Sequence, residues 1–100
     1  MSQPDRKRVL LPEEQEVFLE RIYGWEIKLD GLHRILEFSD FEEAFNFMTE
    51  VAEIAEELNH HPDWSNSWNK VDITVTNHQA GGVTEIDFVL CERINRLVGR

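Results

Sequence analysis

Phe41, Ala44, Phe45, Met48, Val51, Ala52, Ala55 and Leu58 recur at three- and four-residue steps, the period of one helix face. Glu42, Glu43, Glu50, Glu53 and Glu57 fall on the other side. Ser39-Asp40-Phe41-Glu42-Glu43 offers two overlapping capping boxes at the start, Ser39 with Glu42 and Asp40 with Glu43. Pro62 cannot continue a helix and pushes His61 toward extended backbone, so the helix is predicted to end near Leu58 or Asn59. The aromatic and methionine stripe reads as core packing rather than as a cofactor-binding face.

Other periods surround this helix. Leu11-Pro12-Glu13-Glu14 starts an earlier helix, with proline in the first turn and acids near the positive end of the dipole. Val17, Phe18, Ile22 and Tyr23 supply its apolar side. Asp30-Gly31 separates two alternating segments and predicts a two-residue hairpin turn. That register pairs Leu29 with Leu32, Ile27 with Arg34 and Trp25 with Leu36. Trp25, Ile27, Leu29, Leu32, Leu36 and Phe38 then share one face, on which Arg34 is an intruder expected at a margin or beside a carboxylate. After Pro62, Trp64, Asn66 and Trp68 alternate with polar residues, and Val71, Ile73 and Val75 alternate with Asp72, Thr74 and Thr76, giving two more strands. Gln79 to Val83 is a turn, and Thr84 caps a last helix with Glu85 and Asp87 in its first turn. Ile86, Val89, Leu90, Ile94 and Leu97 give that helix its apolar stripe.

The order helix, strand, strand, helix, strand, strand, helix predicts an α+β two-layer fold, a four-stranded antiparallel sheet with helices packed on one face. The other face must be polar or covered by another subunit. Residues 1–11 are expected to be a flexible N-terminal tail and 12–100 one domain.

A net charge of −10 argues against direct nucleic-acid binding, which needs clustered cations. The single basic cluster, Arg6-Lys7-Arg8, reads as a solubilising tail. One cysteine, Cys91, allows no internal disulfide framework and lies in an apolar helical stretch. No apolar run is long enough to span a membrane and no signal-peptide core is visible, so the cytoplasm is the expected location, without a membrane partner.

Glu56-Glu57-Leu58-Asn59-His60-His61-Pro62-Asp63-Trp64 carries the candidate chemistry. Two adjacent histidines sit where the chain must change direction, with their rings aimed apart. Glu56 lies about one helical turn before His60 and can accept a hydrogen bond from an imidazole, fixing its tautomer. A histidine at a helix C-terminus is favoured by the dipole alone, so His60 by itself would mean little. His78 follows the second of the later strands, just ahead of Gly81-Gly82, where backbone can approach a ligand closely; alone, it reads first as a solvated loop residue.

The full spaced set resembles the pterin-4a-carbinolamine dehydratase family. That pattern is an acid, three residues, His-His-Pro, a short gap, an aromatic, nine residues, a histidine and a later aspartate. Glu56, His60, His61, Pro62, Trp68, His78 and Asp87 fill those places. Gly24-Trp25 and the run Phe38, Asp40, Phe41, Ala44, Phe45 add to the likeness, which covers about residues 12–98. Trp68 stands where members often have tyrosine, Asn77 where threonine commonly precedes the histidine, and Leu36 where many have phenylalanine.

The resemblance implies dehydration of 4a-hydroxytetrahydropterin to quinonoid dihydropterin, which recycles the cofactor of aromatic amino acid hydroxylases. It implies a pterin substrate, no metal or redox cofactor, and assembly into homodimers or homotetramers. His60, His61 and His78 are the expected catalytic residues, with Glu56 orienting one imidazole. Which is acid and which is base does not follow from spacing. Trp64, Asp63 and Asp87 are the expected substrate-binding residues. Trp64 offers a face for a flat bicyclic ring, or else packs on its own sheet. Asp63 also reads as a brace for the turn after Pro62, and Asp87 as a first-turn helix acid.

Two rival readings stand beside this one. A non-catalytic, dimer-stabilising module on the same fold corresponds to the coactivator role of some animal members, and no feature of this sequence points to it. A zinc site from His60, His61, His78 and Glu56 has suitable donors. Adjacent histidines on extended backbone diverge, however, unlike the paired histidines of a metal-binding helix.

Overall fold

The structure, a computed structural model, describes residues 3–99. Its elements are α1 (Pro12–Leu19), β1 (Glu26–Lys28), β2 (Gly31–Glu37), α2 (Phe41–Leu58), β3 (Asp63–Ser67), β4 (Lys70–Val75) and α3 (Glu85–Val98). They follow the predicted order and make an α+β fold. The sheet runs β1-β2-β4-β3, and every pairing is antiparallel. Leu32, Leu36, Val71, Ile73 and Val75 point from it into a core completed by Ala44, Phe47 and Val51 of α2 and Phe88, Leu90, Cys91 and Ile94 of α3. Burial of that apolar face is the main source of stability, at roughly 25 cal/mol per Å² removed from water. The opposite face carries His33, Asp72, Thr74, Asp63 and Ser65, with Ile35 as an exposed apolar member.

The β1–β2 hairpin is registered differently from the expected Asp30-Gly31 turn. Ile27 pairs with Leu32 and Lys28 with Gly31, so Leu29 and Asp30 make the turn. Leu29 takes a left-handed φ of 56° and is 92% exposed. Gly31 explains the shift. A Cβ there would lie 2.8 Å from Thr74 Cγ2 and 3.4 Å from the Val75 carbonyl oxygen. The glycine is spent on close approach to β4, and the turn falls one step earlier. A two-residue slip preserves the alternation of faces, so Trp25 and Leu32 are still buried.

The stripe on α2 also differs. Phe47 is buried, whereas Phe41 and Phe45 are about half exposed and Ala52 is exposed. The helix meets both the sheet and α3, so its buried face is turned toward Phe47 and away from the expected edge. Phe41 and Phe45 stack on each other instead, with ring centroids 5.5 Å apart. At the helix start Asp40 is the cap, its Oδ1 accepting from Glu43 N at 2.8 Å. Ser39 donates to the Glu43 side chain rather than pairing with Glu42.

Arg34 is not at a margin. It is 9% exposed, and its Nη1 donates to Asn95 Oδ1 at 2.7 Å and to the Tyr23 carbonyl at 3.2 Å. Asn95 Oδ1 also accepts from Trp25 Nε1 at 2.8 Å, and Asn95 Nδ2 donates to the Tyr23 carbonyl at 2.9 Å. One amide thus satisfies an indole and a guanidinium together. Gly24 makes room for this: at φ 91° it stands where a Cβ would meet Arg34 Cζ at 2.8 Å. Replacing Asn95 with leucine is expected to cost about 2–3 kcal/mol, because two buried donors lose their acceptor. Urea unfolding of the variant measures the loss.

Residues 5–10 depart from the expected flexible tail. Leu10 is buried in the core and its N–H donates to the Val83 carbonyl at 2.8 Å. Arg8 grips Glu14 with both terminal nitrogens at 2.9 Å. That fork, followed by the Leu11 N–H, holds the Glu14 carboxyl at about 2, well below its ordinary range. The boundary at residue 12 therefore cuts through packed structure. Its low hydropathy hid this, because Leu10 is the one residue of the segment that enters the core. Met1 and Ser2 lie outside the described residues.

Candidate active site

Three local devices position the histidines. The first is the end of α2. Asn59 takes a left-handed conformation, φ 51° and ψ 46°, and its N–H closes the helix onto Ala55 and Glu56. Asparagine tolerates that conformation, and the reversal throws His60 and His61 to opposite sides before Pro62 enters β3. The second is the β4–α3 turn. Asn77 Oδ1 accepts from Ala80 N at 3.0 Å, and Asn77 bridges to Gly82 through the backbone, which fixes His78 at the rim. The third is the start of α3, where Asp87 Oδ2 accepts from Thr84 N at 2.6 Å and from Thr84 Oγ1 at 3.1 Å. Thr84 is the N-cap residue as expected, but its hydroxyl caps no helix N–H; the Asp87 carboxylate does the capping, by accepting from it.

Each histidine meets a different carboxylate. His60 turns inward, and its Nε2 lies 2.5 Å from Asp87 Oδ1; the imidazole is 11% exposed and the carboxylate fully buried. His61 turns outward to Glu56, Nε2 to Oε2 at 2.6 Å, with both groups exposed. His78 meets Asp63, Nε2 to Oδ2 at 2.5 Å, also at the surface. In every pair the carboxylate binds Nε2 and so orients the ring and its tautomer, leaving Nδ1 as the nitrogen toward other partners.

The side chains are gathered as pairs rather than as one ring of imidazoles. His78 and Asp63 line a cavity of about 550 Å³ on the outer face of the sheet, between the β1–β2 turn and the Asn77–Gly82 turn. His60 and His61 are not among its lining residues. The cause is the left-handed residue before them, which sends His60 under the sheet's end. Trp64 is half-buried against the core, beside Ile73 on the inner side of β3, with only part of its ring available. Asp63 braces His78 rather than the turn after Pro62. Asp87 has no exposed surface, so it acts on a ligand only through His60.

Two neighbours escaped the sequence reading. His33 lines the same cavity; its Nε2 is 2.9 Å from Asp72 Oδ1 and its Nδ1 3.4 Å from Glu26 Oε1. Its place on the outer side of β2 was legible in the alternation Leu32-His33-Arg34, but the partners lie on other strands. Asn77 was noted as a departure; here it does the turn's hydrogen bonding. Cys91 is fully buried, and burial, then the nearby Asp87 charge, pushes its thiol well above its ordinary value. It is unsuited to nucleophilic chemistry.

The family model for pterin 4 alpha carbinolamine dehydratase matches residues 8–97. The chain belongs to this family. It is 44% identical over 89 residues to a Prochlorococcus marinus (strain MIT 9312) protein named for the same dehydratase, covering 89% of this chain and 93% of that one. A Chelativorans sp. (strain BNC1) protein of the same name is 46% identical over 93 residues, covering 91% of this chain and 89% of its own. Among solved structures, a Brucella melitensis protein described as a transcriptional coactivator/pterin dehydratase superposes with a TM-score of 0.87 at 36% identity, covering 90% of this chain and 98% of that one. Fold and sequence therefore point to one family across nearly the whole chain. No helix among the described residues is long and apolar enough to cross a membrane.

Proposed function

We propose that this chain dehydrates 4a-hydroxytetrahydropterin to quinonoid dihydropterin, with His60, His61 and His78 handling the protons. The reading is carried by three imidazoles at the family's motif positions, each held by its own carboxylate. The reaction breaks the bond from the saturated ring carbon to its hydroxyl oxygen. A general acid protonates that oxygen, which leaves as water. A base takes the proton from the neighbouring ring nitrogen, whose electron pair forms the new carbon–nitrogen double bond. Imidazoles suit both tasks, because their ordinary pKa of about 6.5 lies near working pH. Positioned proton transfer is worth about 10²–10⁴-fold in rate.

Glu56 orients His61, Asp63 orients His78 and Asp87 orients His60. Trp64, packed on the core side of β3, offers at most the exposed part of its ring to the substrate. The chemistry is acid–base throughout and calls for no metal or redox group. A zinc reading has little support, since among the described residues no three histidine, cysteine or carboxylate side chains are gathered as a metal ion requires. In its cell the product would be returned to an aromatic amino acid hydroxylase, and the working form would be a cytoplasmic homodimer or homotetramer.

The description of the Brucella melitensis protein keeps a second reading in view, a dimer-stabilising module without catalysis. One measurement separates them. Purified protein added to enzymatically generated 4a-hydroxytetrahydropterin is expected to speed its dehydration well beyond buffer. A rate equal to buffer would favour the module.

A further inference from the structure

Arg6, Lys7 and Arg8 read in the sequence as a basic tail, yet the chain at residues 5 and 6 touches the end of α2, the turn after β4 and the start of α3. Arg6 Nη1 donates to the Asn59 carbonyl at 2.9 Å, and Arg6 Nη2 donates to the Leu58 carbonyl. The Arg6 carbonyl accepts from Asn77 Nδ2 at 2.8 Å. The Asp5 carbonyl accepts from Ile86 N at 3.1 Å. Asn59, Asn77 and Ile86 are the residues immediately before His60, His78 and Asp87. Three contacts thus land one residue ahead of three groups assigned to the reaction.

The first contact also solves a problem that α2 leaves unsolved. An 18-residue helix ends with orphan carbonyls and a partial negative charge, and its last turn holds no basic residue. Glu53, Glu56 and Glu57 add to that negative field. A planar guanidinium spans two adjacent carbonyls as a fork, which an ammonium cannot do. The Asn59 carbonyl belongs to the peptide plane that carries His60, so the fork fixes the direction in which His60 leaves the helix. Asp5 shapes the approach: its Oδ1 accepts from Lys7 N at 2.7 Å and from Arg8 N at 2.9 Å, and those bonds hold its carboxyl below the ordinary range.

We propose that the segment around Arg6 is a strap that positions His60 and His78 for proton transfer, with Arg6 as its positioning residue. This rests on the dehydratase reading for its catalytic consequence, but not for its geometry. Arg6 has no part in the chemistry itself; it acts on His60 through the Asn59–His60 peptide plane and on His78 through the Asn77 side chain. Lys7, next in the chain, makes no such bridge by its side chain and serves as the control.

The test uses the full chain as wild type, Arg6→Ala, Arg6→Lys and Lys7→Ala. Two readouts are taken: dehydration kinetics, and the imidazole proton–nitrogen NMR signals of His60 and His78. In Arg6→Ala, kcat is expected to fall about tenfold or more while KM stays within about twofold, because misplaced groups lose rate before they lose affinity. The His60 and His78 ring signals are expected to move, with partial return in Arg6→Lys and no change in Lys7→Ala. A folded Arg6→Ala protein with wild-type ring signals and wild-type kcat overturns the proposal. If the alanine variant does not fold, Arg6→Lys decides: ring signals and kcat identical to wild type would overturn it, since the fork is then dispensable. Wild-type protein without dehydratase activity would refute the reaction, and the ring signals alone would then judge the strap.

Discussion

Alanine in place of His78 is expected to lower kcat for dehydration by about 10²–10⁴-fold, and alanine in place of His61 to do the same, the range ordinary for loss of a positioned acid or base. Both rings stand at the surface, His61 at 55% and His78 at 74% exposure, with carboxylate partners that are themselves solvated. Removing either imidazole therefore empties no core and leaves no buried charge unpaired, and both variants should keep wild-type unfolding midpoints. Rate loss without stability loss is what separates a proton-transfer role from a structural one. Glu56→Gln and Asp63→Asn are expected to fall between wild type and the histidine variants, because each keeps the ring but weakens its orientation. Stopped-flow kinetics on the same substrate preparation gives all four values. Two histidine variants as active as wild type would remove these residues from the mechanism.

Asp87→Ala is expected to have the largest effect on stability, about 3–5 kcal/mol, because it breaks a buried charged cluster from one side. Asp87 is fully buried, and its two oxygens serve the Thr84 N–H, the Thr84 hydroxyl and His60 Nε2. Alanine strands all three donors and removes the cap from α3 at once. Asp87→Asn keeps the volume and one acceptor and is expected to lose less, about 1–3 kcal/mol, because an amide can still accept from Thr84 but meets His60 with mismatched polarity. Activity should fall in the asparagine variant as well, since His60 loses the group that sets its tautomer. Denaturant titration with an unchanged slope gives the stability change. An alanine variant within about 1 kcal/mol of wild type would contradict the role assigned to this carboxylate.

The parts of the site that could be read along the chain were those set by short-range rules. Glu56, His60, His61 and Pro62 lie within one helical turn and its break, so spacing alone placed the carboxylate near an imidazole. The Thr84–Asp87 cap was legible for the same reason. His78 was marked by its place before a glycine turn and assigned only through the family's spaced pattern. What could not be read was which carboxylate each ring would choose. Asp63 and His78 belong to segments separated by the whole β3–β4 hairpin, and Asp87 reaches His60 across the molecule. The Arg6 contacts span more than fifty positions, so the basic run reads locally as a solubilising tail. Nothing local distinguishes an arginine that caps a distant helix from one that only keeps a chain soluble.

The sequence by itself determined the identity and order of the elements, the alternating faces of the sheet and the residue types at the candidate site. Each of these follows from periods of two or 3.6 and from caps and breakers a few positions apart. Tertiary structure alone decided the hairpin register, the rotation of α2 that buries Phe47 and exposes Phe45, and the sorting of three histidines onto three carboxylates. The register slipped because Gly31 was needed where β4 comes too close for a side chain. The rings separated because a left-handed Asn59 precedes them. In the first case contacts between distant segments overrode a local preference worth only about 1 kcal/mol, which is the scale of turn and strand propensities; in the second a local cap parted the rings, and the fold chose the carboxylate each would meet.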